Sequence, residues 1–185
     1  MTVAVRASVI AVTSAFLACC ASSAPMRFYT LSSMGNDAAT TDVSSGIRVV
    51  RVSLPGEIDR SELVRRVDSN RLQLAEDDRW AAPLDEMIRR VLSENLRSRI
   101  PAASGDPERL SLEIEEFIAD ADCTVTLRAA WSLESATPAV PPTRGYETVR
   151  TETGGVCEVG ALPAAMSRAL AELSTRIAAA RAAHR

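Results

Sequence analysis

"TVTLRAAWSLE", residues 124–134, alternates without a break: Val125, Leu127, Ala129, Trp131 and Leu133 fall on one side. Period two over this length reads as a half-buried strand, and one solvated face marks an antiparallel sheet. Upstream, "RLSLEIEEFIAD" (109–120) alternates at Leu110, Leu112 and Ile114. It then slips phase at Glu115-Glu116 before Phe117 and Ile118, which predicts a bulge. Downstream, the Pro-rich turn "SATPAVPPTRG" (135–145) leads into "YETVRTET" (146–153), a more polar strand suited to a sheet edge.

Working outward, "IRVVRVSLP" (47–55) reads as a strand with Val50, Val52 and Leu54 on one face and Ile47 and Val49 on the other. "ELVRRVDSNRLQLAE" (62–76) reads as a hairpin, Leu63 to Val67 and Arg71 to Ala75, around the polar turn Asp68-Ser69-Asn70. "DDRWAAPLDEMIRRVLSENLRSRIP" (77–101) reads as a helix, with Pro83 in its first turn and Asp85 and Glu86 at the positive end of its dipole. Leu84, Ile88, Val91 and Leu92 form its apolar face, and Asn95 projects among them. A buried Asn there needs a backbone partner; a partly exposed one does not. Leu162, Met166, Leu170, Leu173 and Ile177 repeat at helical spacing, opposite Arg168, Glu172 and Arg176. "RFYTL" (27–31) supplies a first strand. The expected fold is α+β: a mainly antiparallel sheet packed against two long helices, in a single domain.

The N-terminus is of another kind. Met1 to Arg6 carries one positive charge, Ala7 to Ala18 is almost continuously apolar, and the run ends in Leu17-Ala18-Cys19-Cys20. That length suits a signal peptide core and falls short of the roughly 20 residues that cross a bilayer. The pattern resembles a lipoprotein signal, with Leu three residues before the cysteine that is lipidated. Cys20 fits that spacing through Leu17; Cys19 would place Phe16 there. A cleaved secretory signal with incidental cysteines, or a buried N-terminal helix, are the other readings. The organisation expected is a lipoprotein signal at 1–19, a tether at 20–26 and one domain at 27–185 with a polar loop at 34–46. In the lipoproteins that this signal resembles, Asp after the lipidated cysteine favours the inner membrane, so Ala21 after Cys20 implies the outer membrane.

Composition narrows the function. The 185 residues carry a net charge of −3 and 4% aromatics, which argues against nucleic-acid binding. All 21 basic residues are Arg. The only histidine is His184, so no Ser-His or Cys-His pair has a plausible base, and no metal spacing or Gly-rich phosphate loop is present. Asp77-Asp78 and Glu115-Glu116 are expected as solvated surface or turn residues, because neighbours on a strand face opposite ways. Trp80 and Trp131 are expected in the core. No catalytic, cofactor or metal residues are assigned, and the chain is expected not to be an enzyme.

The segment from Val50 to Leu96 carries a resemblance. After the lipobox come Phe28-Tyr29-Thr30-Leu31, a Val-rich strand ending in Leu54-Pro55, and Ile58-Asp59-Arg60. A hairpin ending in Arg79 to Leu84, a helix ending in Glu94-Asn95-Leu96, and "LRAAWSL" with Trp131 follow. In this order and spacing they resemble the ABC-type transport auxiliary (PqiC-like) lipoprotein family, with Phe28 in place of a Tyr and Cys157 outside the pattern. The resemblance implies an outer-membrane lipoprotein facing the periplasm. It would serve as a non-catalytic auxiliary subunit of a lipid transport system, with an MCE-domain (PqiB-like) membrane protein as partner and self-association. An envelope adaptor docking on a cell-wall enzyme or assembly complex is the alternative.

Cys123 and Cys157 remain. An oxidising compartment favours their pairing. If residues 124–133 and 146–153 form a hairpin centred on Val140, the two thiols meet at its open end. Two unrelated thiols are the other possibility.

Overall fold

A computed structural model describes residues 25–34, 46–100, 106–135, 137, 140–154 and 158–184. The signal segment, Cys19, Cys20, most of the 34–46 loop and Cys157 lie outside the described residues.

The alternating stretch is β6 (Thr124–Glu134), between β5 (Glu108–Ala119) and β7 (Thr143–Glu152) in an antiparallel meander. Its five odd-numbered residues are all buried. The slip in β5 is a register shift between Ile114 and Glu116, which returns Phe117 to the core side opposite Leu127. β1 (Arg27–Tyr29), β2 (Ile47–Ser53), β3 (Glu62–Asp68) and β4 (Arg71–Trp80) complete a seven-stranded sheet. Its order is β1-β4-β3-β5-β6-β7, with β2 also on β5. The three hairpin ladders are antiparallel, whereas β1 on β4, β2 on β5 and the short β3 contact on β5 are parallel.

Two boundaries differ from expectation. β4 runs to Trp80, so Asp77 to Trp80 is strand, and the first helix, α1, spans Leu84–Arg99. Asp78 to Trp80 gain a second ladder partner in β1, and Trp80 N–H bonds Ser61 C=O at 2.7 Å. Pro83 sits at the N-cap, where its missing N–H costs nothing, and Asp85 and Glu86 occupy the first turn. In β2 a register shift after Val49 leaves Val50 exposed. Ile47 and Val49 enter the core before the bulge and Val52 and Leu54 pack against it afterwards, so the expected grouping of Val50 with Val52 and Leu54 does not hold.

α1 and α2 (Leu162–Ala183) lie on one face of the sheet, α1 over β2 and α2 over β6 and β7. Ile88, Val91, Leu92 and Leu96 of α1 meet Leu170, Leu173 and Ile177 of α2 in one core with Trp80 and Trp131. Each such aliphatic side chain contributes roughly 1.5–3 kcal/mol on burial. α2 also guards the β7 edge: Arg176 donates to Thr148 C=O at 2.9 Å and Arg168 to Glu152 C=O at 2.6 Å. Among the described residues the other face of the sheet carries no helix.

Candidate functional site

The segment that enters the domain from the N-terminus is held along its length. Arg27 makes a two-pronged ion pair with Asp78, its neighbour across the β1–β4 ladder, at 2.7 and 2.8 Å. Asp78 is only 3% exposed. Beyond β1 the chain crosses both helices. Arg90 of α1 donates to Leu31 C=O at 2.8 Å, Ser32 N–H donates to Ser167 Oγ of α2 at 3.1 Å, and Met34 N–H donates to Asn95 Oδ1 at 2.9 Å. Asn95 is thus fully buried and bonded to backbone, as its place on the apolar face requires, while its Nδ2 has no partner. Beside β1 lies a half-open cavity of about 400 Å³, bounded by Arg27, Tyr29, Arg65, Gln73, Glu158 and Leu162 among others.

On the open face, a shallow groove of about 470 Å³ runs between β3 and β7. Glu116, 8% exposed, lies between Arg66 Nη1 at 2.5 Å and Arg128 Nη2 at 3.0 Å. Arg66 also reaches Asp120 at 2.8 Å, which accepts from Thr126 Oγ1 at 3.2 Å. Arg144 and Arg150 of β7 stand exposed on this face, outside any ion pair among the described residues.

These environments hold charges in place. The Arg27 hydrogen bond lowers the Asp78 pKa, and the Asp78 carboxylate raises those of Arg27 and the Tyr29 hydroxyl. Glu116 raises the Arg66 pKa, Glu115 raises that of Tyr146, and the Thr124 backbone N–H lowers that of Asp122. Each shift moves its group away from neutrality, the reverse of what a general acid or base needs. Among the described residues no three His, Cys, Asp or Glu side chains gather as a metal site, and no helix is long and apolar enough to cross a membrane.

Asp78 and Glu116 correct the expectation of solvated acids: one member of each pair is buried and ion-paired. Alternation alone does not show this: Arg27 and Arg66 lie 51 and 50 residues away in sequence from Asp78 and Glu116, and Arg128 meets Glu116 through the β5–β6 register. His184, exposed at the end of α2, contacts Ala180 C=O.

Cys123 occupies the β5–β6 turn. Its N–H bonds Asp120 C=O at 2.9 Å, and its φ of 68° lies in the left-handed region. The residue is disulfide-bonded. Thr153 N–H donates to Cys123 C=O at 3.3 Å, so the β6–β7 hairpin is centred two residues before Val140 and Cys123 faces Thr153. The hairpin is as expected; its register is not.

The fold and its locked charges define an α+β domain with a clamped N-terminal segment and an open polar sheet face. The chain belongs to the family described as ABC-type transport auxiliary lipoprotein component, which matches residues 29–178. Two solved structures share its fold. A crystal structure of an uncharacterized protein has a TM-score of 0.69 at 18% identity, covering 84% of this chain and 97% of that one. A protein from Xanthomonas campestris has a TM-score of 0.59 at 18% identity, covering 81% and 91%. No curated protein matches the chain.

Proposed function

We propose that this chain is an outer-membrane-anchored periplasmic lipoprotein. In this reading it is a non-catalytic, self-associating auxiliary subunit of an MCE-type lipid transport system that runs between the inner and outer membranes and supports membrane integrity. Cys20 carries the acyl chains and begins the mature protein. The observation that carries the reading is membership of the auxiliary lipoprotein family over residues 29–178. The buried carboxylates of Asp78 and Glu116 are held in ion pairs with Arg27 and with Arg66 and Arg128, so they fix a surface. The docking surface is the open sheet face, where Arg144 and Arg150 of β7 form no ion pair among the described residues.

Affinity capture of the full-length protein from detergent-extracted envelopes tests this. An MCE-domain protein in the eluate, absent with an Arg144→Glu/Arg150→Glu variant that still folds, is the expected result. Full complementation by a variant with no affinity for any MCE protein would overturn the reading.

A further inference from the structure

Met26, Phe28, Leu72 and Leu74 are 39–64% exposed and lie at one margin of the sheet, on β1, its lead-in and β4. All four belong to the open face. Arg27, Tyr29, Gln73 and Ala75 border the cavity on the helix side, so alternation sends the residues between them to the opposite face. Leu72 pairs with Arg66, whose guanidinium meets Glu116 on that same open face.

Pro25 keeps this margin free. Tyr29 C=O accepts from Ala81 N–H, so residues 25, 27 and 29 turn their backbone towards β4. Proline has no N–H to give. The ladder begins at Arg27, and β4 from Arg71 to Glu76 has no strand on its outer side among the described residues.

We infer that this margin seats on the lipid bilayer, placing Met26, Phe28, Leu72 and Leu74 at the boundary of the acyl chains. The inference rests on the proposed anchor at Cys20. Met26 is six residues on from Cys20, so extended chain at roughly 3.3–3.6 Å per residue holds Met26 within about 20 Å of the membrane. The β1–β4 ladder and the Arg27–Asp78 ion pair fix where the chain enters the domain, so the short tether presents this margin rather than another.

The test uses full-length, acylated protein in vesicles of phosphatidylethanolamine and phosphatidylglycerol whose acyl chains carry bromine. Phe28→Trp and Leu74→Trp are made separately, with Tyr146→Trp at the opposite sheet edge as control. The expected result is strong loss of the added emission at positions 28 and 74 and none at 146, above the unchanged emission of buried Trp80 and Trp131. Vesicle-bound protein with no quenching at either position overturns the inference and leaves the anchor standing. Cross-linking between copies through Leu74→Cys, without quenching, overturns it in favour of self-association at this margin. Protein that lacks acyl chains and fails to float with vesicles overturns the anchor and the inference together.

Discussion

Asp78 shows how one residue ties the N-terminal strand to the domain. Its pKa in the folded chain lies below the ordinary 3.8, chiefly through the Arg27 hydrogen bond. A carboxylate lowered in this way stabilises the fold in full above its unfolded pKa and loses that contribution as pH falls through its folded one. Asp78→Asn is therefore expected to flatten the acid limb of a stability-against-pH curve below about pH 4; a limb as steep as the parent's would contradict the pairing. Asn95→Ala is expected to cost on the order of 1–3 kcal/mol, because Met34 N–H loses its partner. Denaturant unfolding measures it, and a change near zero would mean that the bond carries nothing.

Cys123 adds a second argument at this scale. A left-handed φ suits glycine, and a non-glycine residue there costs on the order of 1 kcal/mol or more. We propose Cys157 as its disulfide partner. Gly154, at φ 81°, turns the chain directly after Thr153 and offers a route back despite the shifted register. Cys123→Ser and Cys157→Ser are expected to lose about 2–4 kcal/mol each, and Cys123→Gly less than Cys123→Ser because it relieves the backbone. Equal losses for the Ser and Gly variants would remove strain from the account; peptide mapping that pairs Cys123 elsewhere would remove Cys157.

At the scale of elements, the strand pair β6–β7 is held by shape as well as hydrogen bonds. Trp131 stands opposite Gly145, and a Cβ there would lie 2.5 Å from the indole. Gly145→Ala is expected to destabilise the fold by roughly 1–3 kcal/mol through overpacking, read as a lower unfolding midpoint. An unchanged midpoint would show that the ring moves freely. The edge beyond is protected by Arg168 and Arg176, which occupy two outward carbonyls. The strands, both helices and the β5 bulge were legible in period and phase. The start of α1 was not: two acids ahead of Pro83 look like a first helical turn, and pairing with β1 on one side and β3 on the other keeps the stretch in a strand. The β2 bulge hid because "VV" at 49–50 leaves either phase apolar.

For the whole molecule, antiparallel meander and amphipathic helices made the α+β class readable, because both periods are local. The parallel pairings were beyond reach, since each joins segments separated by an intervening helix or hairpin. The candidate site was legible only where it coincides with a motif, as at Tyr29 and Asn95; the charged network depends on arginines distant in sequence. What remains is a protein that fixes its charges, guards one sheet edge and leaves one polar face open. The most direct measurement of the central claim is equilibrium binding of the acylated protein, in vesicles, to a purified MCE-domain protein from the same envelope. Saturable binding that is lost in the folded, acylated Arg144→Glu/Arg150→Glu variant is the predicted result; a parent protein that is folded and acylated yet shows no binding would contradict it.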